Sequence, residues 1–208
     1  MSQAPVPLAI QANDGRALRI EPVWQCMTPA LQDALVAFWQ QHKAVADADR
    51  ARARAAQAVC LLREEASGAL LGVGTAVVRV LPRLRQPLYY YRQYFAPQVR
   101  GRGVMRRFVQ ACRQVLEAHN AALPQAESLG LLLELENPKI ARAYRHAWEP
   151  DYQAAFIGYS PRGLPLYALY FQEAVLLPPA PLPATLVRRL RQLAASDPPP
   201  PAVAAGTP

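Results

Sequence analysis

Within the 208 residues, Gln98-Val99-Arg100-Gly101-Arg102-Gly103-Val104 is the stretch whose residue types and spacing suit a definite chemistry. It follows an apolar, tyrosine-rich run, Leu88 to Phe95, and precedes Val104, Phe108, Cys112, Val115 and Leu116, which recur at helical spacing. A strand, a glycine-bearing turn and an amphipathic helix are expected in that order. Free backbone N–H groups at a helix start, with the positive end of the helix dipole, attract an anion, and glycines let a phosphate approach the main chain. Arg100, Arg102, Arg106 and Arg107 add charge, so a pyrophosphate is the natural ligand. Two familiar phosphate motifs do not fit: Arg106 stands where the dinucleotide fingerprint needs its third glycine, and the Gly-Lys-Ser/Thr of a P-loop is absent.

The remaining elements must hold this turn in place. Residues 1–15 read as a flexible, polar N-terminus, and Leu18 to Val23 alternates as a short strand. Thr28-Pro29 opens a helix with Leu31, Leu35, Phe38 and Trp39 on one face. Alanine dominates Lys43 to Gln57, where Asp47 and Asp49 precede Arg50, Arg52 and Arg54, an order that suits the dipole of a second helix. Ala58 to Leu62 and Leu70 to Leu81 read as antiparallel neighbours, with Gly72 and Gly74 as a bulge or close-packing point. Leu129 to Leu135 is the strongest buried-strand signal, and Asn137-Pro138 begins a helix as far as about Ala147. Phe156 to Tyr159 and Leu166 to Phe171 form a closing hairpin. The expected domain covers 16–177, and 178–208 is a Pro-rich tail with a short basic helix over Pro183 to Ala195 and a disordered end from Ser196.

Composition narrows the class of protein. With 52% hydrophobic and 18% charged positions the chain can bury a core as one ordinary domain. The net charge of +8, almost all of it arginine, favours anionic partners such as nucleic acid, an anionic membrane or a phosphorylated small molecule. No nucleic-acid-binding motif accompanies the charge, and no apolar run reaches the ~18 residues of a membrane span. Cys26, Cys60 and Cys112 form no C-x-x-C pair, and His42, His119 and His146 have no ligand spacing, so no metal is expected. A reducing cytoplasm is the default location.

Gln98, Gly101 and Gly103 match the Q-x-x-G-x-G/A signature of the GNAT superfamily of N-acetyltransferases, and Asn137 to Tyr144 resembles that family's asparagine-to-tyrosine segment. The element order over 17–174 is also similar. The resemblance implies an α/β fold: a central, mostly antiparallel mixed sheet, with two parallel strands, Leu88 to Phe95 and Leu129 to Leu135, splayed apart to admit acetyl-CoA, and helices at its flanks. It implies that main-chain groups near Tyr94 and Phe95 hold the pantetheine, and that the amides of Arg100, Gly101, Arg102, Gly103, Val104 and Met105, with Gln98, hold the pyrophosphate. Asn137 would position the pantetheine or the reacting groups. Tyr144 would protonate the departing thiolate, and a carboxylate on one of the two splayed strands would take the proton of the attacking amine; Leu88 to Phe95 has none, which leaves Glu134 and Glu136, and of these Glu134 is the expected base. The segment after Tyr144 departs from the family pattern, since Arg145-His146-Ala147-Trp148 lacks the glycine that ends the helix.

The expected function is direct transfer of an acetyl group from acetyl-CoA to a primary amine, on a small molecule or a protein. The chain's oligomeric state stays open, a homodimer included. A catalytically silent acyl-CoA-binding module is the second reading, and a basic nucleic-acid binder the third.

Overall fold

Alternating apolar residues with few helix formers build one long antiparallel hairpin, β4 (Leu70–Leu81) and β5 (Gln86–Phe95), at the middle of the molecule. The computed structural model describes residues 6–182 together with 184, 185, 187 and 188. Most of the expected basic helix, Pro183 to Ala195, and the end from Ser196 lie outside the described residues.

Nine strands form one sheet in the order β1-β2-β3-β4-β5-β6-β9-β8-β7. The others are β1 (Leu8–Gln11), β2 (Ala17–Pro22), β3 (Ala58–Glu64), β6 (Gly130–Glu134), β7 (Trp148–Glu149), β8 (Ala154–Tyr159) and β9 (Pro165–Tyr170). Every neighbouring pair is antiparallel except β5 and β6, which run parallel. A mixed, mainly antiparallel sheet flanked by helices is the architecture that the sequence resemblance implies.

The helices are α1 (Pro29–Gln41), α2 (Ala48–Ala55), α3 (Met105–Ala122) and α4 (Pro138–Ala143). Thr28 caps α1 by accepting from the Leu31 N–H at 3.2 Å, which satisfies one of the free amides of its first turn. Its apolar stripe, Leu35, Val36, Phe38 and Trp39, packs with Ala51 and Ala55 of α2 over Leu61 and Val73 on one face of the sheet. On the other face α3 buries Phe108, Val109, Cys112 and Leu116 against Leu62, Tyr89, Tyr91 and Leu131. Gly72 and Gly74 are close-packing points, because a Cβ at either would stand within 3 Å of the Phe95 ring or of Cys112 Sγ.

Four elements depart from the sequence reading. Residues 8–11, expected in a flexible segment, pair with β2 as an edge strand. The helix expected over Lys43 to Gln57 is shorter: Lys43 has a positive φ of 54°, and Asp47 accepts from the Arg50 N–H at 2.7 Å and so starts the helix later. The helix expected as far as Ala147 stops at Ala143: Tyr144 leaves helical backbone at φ −101° and ψ 95°, and the His146 N–H, which a longer helix would give to Arg142 O, donates to Glu149 Oε1 at 3.0 Å. The Tyr167 hydroxyl donates to His146 O (3.0 Å) and Tyr144 O (3.3 Å), and the Phe156 N–H donates to Ala147 O (2.8 Å). The freed chain adds the short strand β7. Packing also runs past Leu177, since the Ala180 N–H donates to Arg85 O at 2.9 Å.

Candidate active site

The parallel ladder between β5 and β6 consists of three pairs, Tyr89–Leu131, Tyr90–Leu132 and Tyr91–Leu133. Beyond Tyr91 and Leu133 the two strands part: β5 continues to Phe95 along β4, and β6 reaches Glu134 along β9. A split therefore opens in the middle of the sheet. Main-chain groups of β5 that a central strand would normally pair border it.

At the end of β5 a short 3-10 turn, Pro97–Val99, leads into the glycine loop. Gly101 and Gly103 have φ of 72° and 73°, a left-handed conformation that glycine adopts without strain. Val104 stands at the cap position of α3 and supplies no side-chain acceptor, and the first turn holds no acidic residue. Among the described residues no hydrogen bond engages the N–H groups of residues 101–107. Uncapped amides gathered by left-handed turns form an anion-binding concavity. The turn between β1 and β2 braces this loop: the Asn13 N–H donates to Arg102 O at 2.9 Å, and Asp14 lies 3.5 Å from Arg102 Nε.

The expected cofactor residues are only partly gathered here. Arg100 Nε donates to Phe95 O at 2.8 Å and its guanidinium lies 5.1 Å from the Tyr94 ring, which ties Tyr94, Phe95 and Arg100 together. Val104 is buried and Met105 packs beside it against the α3 core. Gln98 faces elsewhere, lining a hollow of about 320 Å³ with Ala34, Phe38, His42 and Leu70. Asn137 caps α4, its Oδ1 accepting from the Lys139 N–H at 2.9 Å.

Tyr144 and Glu134 lie on opposite faces of the sheet. The Tyr144 hydroxyl donates to that of Tyr152 at 3.3 Å, their rings crossing edge to face. Tyr152 packs with the cluster under α3, in a hollow of about 150 Å³ that also includes Arg106. Burial, then the hydrogen bond with Tyr144, pushes the Tyr152 phenol up, so it stays protonated at neutral pH. Tyr152 carries no sequence signal; only the turn after β7 brings it to Tyr144.

Glu134 shares its face with Tyr90. Its carboxylate accepts from the Tyr90 hydroxyl at 2.6 Å and from Arg162 Nη2 at 2.7 Å, and Arg162 also reaches Glu136 at 2.6 Å. Burial would raise the Glu134 carboxyl, but hydrogen bonding by Arg162, Ser160 and Tyr90 outweighs it and holds it at about 2. A carboxylate so held is a weak base near neutral pH, because a general base works best with a pKa close to the working pH. Taking up a proton therefore requires Arg162 to move off it. The partner was hidden in sequence, since Arg162 lies in the turn between β8 and β9.

Among the described residues no group of three or more His, Cys, Asp or Glu side chains could hold a metal. Nor is any helix among them long and apolar enough to cross a membrane.

No protein-family model and no curated protein sequence matches the chain. Among solved structures, the chain is similar to a cAMP-binding acyltransferase from Mycobacterium smegmatis, at 12% identity over 91% of this chain and 54% of that one, with a TM-score of 0.43. It thus spans about half the length of that protein. A Bordetella pertussis protein described as a GnaT-family acetyltransferase gives 20% identity over 77% of this chain and 97% of that one, with a TM-score of 0.47. A spermidine N-acetyltransferase from Vibrio cholerae, solved with CoA and spermine, gives 12% identity over 74% and 94%, with a TM-score of 0.43.

Proposed function

We propose that this chain is an acyl-CoA-dependent N-acyltransferase of the GNAT type, which passes an acetyl group from acetyl-CoA to a primary amine. The observation that carries the reading is the coincidence of two features at the end of β5: a split in an otherwise continuous sheet, and a loop with seven unengaged amides, residues 101–107, opening α3. The split exposes strand edges that suit an amide-bearing pantetheine arm, and the loop suits its pyrophosphate. The Gln98, Gly101 and Gly103 spacing and the Asn137 to Tyr144 segment support the same reading.

In this reading the amine attacks the thioester carbonyl and forms a C–N bond in a tetrahedral intermediate, whose collapse breaks the C–S bond as Tyr144 delivers a proton to the departing thiolate. The Tyr144 hydroxyl donates to that of Tyr152 at 3.3 Å, a contact that fixes the direction of the Tyr144 ring, and after each turnover Tyr144 regains its proton from solvent. Glu134 takes the amine's proton once Arg162 releases it. Asn137 caps α4 and steadies the segment that ends at Tyr144.

Calorimetric titration with acetyl-CoA tests the reading, run beside Gly101→Glu. No atom lies within 4 Å of where a Cβ at Gly101 would stand, so the new carboxylate reaches the phosphate site with little clash, though the left-handed backbone there is strained for it. Saturable binding by the wild type that the variant loses is the expected result. Failure of the wild type to bind acetyl-CoA or CoA overturns the proposal.

A further inference from the structure

Strand alternation places Leu88, Tyr90, Arg92 and Tyr94 of β5 on one face, and the ladder register adds Thr75, Val77 and Arg79 of β4 and Leu132 and Glu134 of β6. Two apolar clusters cover the ends of this face. One joins α1 and α2 to Val73 and Tyr94, and the other gathers Leu88, Leu132, Leu166 and Leu177. Between them runs a polar strip. The Arg79 guanidinium lies 4.4 Å from the centre of the Tyr90 ring and that of Arg92 lies 5.1 Å from it, so one ring holds two cations. Arg92 and Glu134 follow the last ladder pair on their strands and flank the mouth of the split.

The charges in this strip do not balance. Arg162 occupies both Glu134 and Glu136, whereas Arg79 and Arg92 pair with no carboxylate and donate no side-chain hydrogen bond among the described residues. Arg92 Nε is shielded from solvent without an acceptor. Three guanidinium groups, Arg79, Arg92 and Arg162, thus face two carboxylates. A buried N–H without an acceptor and neighbouring like charges both cost free energy, and a ligand oxyanion relieves both. The planar arginine fork matches a carboxylate or a phosphate.

We propose that the amine accepted at this site also carries an anionic group, a carboxylate or a phosphate, which seats on Arg92 with Arg79 beside the Tyr90 ring. In treating the ligand as the acceptor the inference rests on the acyltransferase reading; the anion site itself is defined by these side chains alone. The strip lies on the face opposite α3, so the donor's pyrophosphate and the acceptor's anion engage different cations. An anion held on Arg92 leaves the rest of the molecule beside the split.

Two matched probe pairs test this: L-phenylalanine against phenethylamine, and O-phosphoethanolamine against ethanolamine. Binding is followed by ligand-observed NMR with the full chain, with Arg92→Gln and with Arg79→Gln, the latter at an exposed position where folding is not at stake. The anionic member of at least one pair should bind about tenfold tighter than its partner, in line with charge-assisted hydrogen bonding, and either substitution should remove most of that advantage. The pair that responds tells carboxylate from phosphate. Equal binding within both pairs, no saturable binding by either anionic probe, or an advantage that survives both substitutions overturns the proposal. A parallel acetyl-CoA titration separates the claims: anion binding without acetyl-CoA binding sustains the anion site and refutes the acyltransferase reading, and the reverse refutes the anion site.

Discussion

Replacing Glu134 by Gln should make the protein less stable at neutral pH and should cost progressively less as the solution is acidified. The folded structure holds the Glu134 carboxyl at about 2, against an ordinary 4.5. At about 1.4 kcal/mol per pH unit this sets a ceiling of about 3 kcal/mol on its charged-state contribution. The Glu134 side chain is only 8% exposed but its partner Arg162 is 57% exposed, so solvent screens the pair and about 1–2 kcal/mol is the realistic magnitude. A carboxyl lowered on folding stabilises the protein fully above its unfolded value, and the contribution fades as pH falls from 4.5 towards 2. Urea unfolding of wild type and Glu134→Gln between pH 7 and pH 2.5 measures the difference directly. A difference that stays constant across this range, or grows on acidification, would refute the description of Glu134 as a clamped carboxylate.

Other expectations follow from the same geometry. Arg162→Ala should let the Glu134 carboxyl rise, and if Glu134 accepts the amine's proton the acidic limb of the pH–rate profile moves to higher pH; an unmoved limb removes Glu134 from that role. Tyr144→Phe should slow turnover by roughly 100-fold with little change in acetyl-CoA affinity, since general acids contribute on that scale. Unchanged turnover would remove Tyr144 from the role of general acid, and acetyl-CoA binding with no turnover of any amine by the wild type would leave the silent binding module as the better account. Gly130→Ala should lower stability by roughly 3 kcal/mol, in the range of severe steric substitutions, because its Cβ would overlap the Leu169 carbonyl oxygen. A thermal midpoint equal to wild type would contradict the packing of β6 on β9. Of the three thiols, exposed Cys26 should react quickly with a thiol reagent and buried Cys60 and Cys112 only on unfolding. Rapid titration of all three would contradict the core beneath α3.

Local signals carried much of this fold. Thr28 and Pro29 mark the start of α1 because capping is decided by one hydroxyl and one missing N–H. The run from Gln98 to Val104 exposed the glycine loop because left-handed turns demand glycine at fixed positions. Long-range partners left no such mark. Residues 8–11, Leu-Ala-Ile-Gln, are too short a run between Pro7 and Asn13-Asp14-Gly15 to signal a strand alone, and they form one on the open edge of β2. The chain beyond α4 is held by Glu149, which takes the His146 N–H, and by the Tyr167 hydroxyl, which lies more than twenty residues further along. The surroundings of Glu134 were hidden for the same reason: its position at the end of a buried strand was legible, but the Arg162 and Tyr90 contacts that weaken it as a base arise from the β8–β9 turn and from strand alternation.

The most direct measurement of the central claim is amide hydrogen exchange of residues 101–107, with and without acetyl-CoA. In the free protein these N–H groups have no hydrogen-bond partner among the described residues and should exchange fast. Saturating acetyl-CoA should slow them, together with amides of β5 near Tyr94 and Phe95 at the split. Exchange at residues 101–107 that is unchanged by acetyl-CoA, or protection confined to another part of the sheet, would contradict the account.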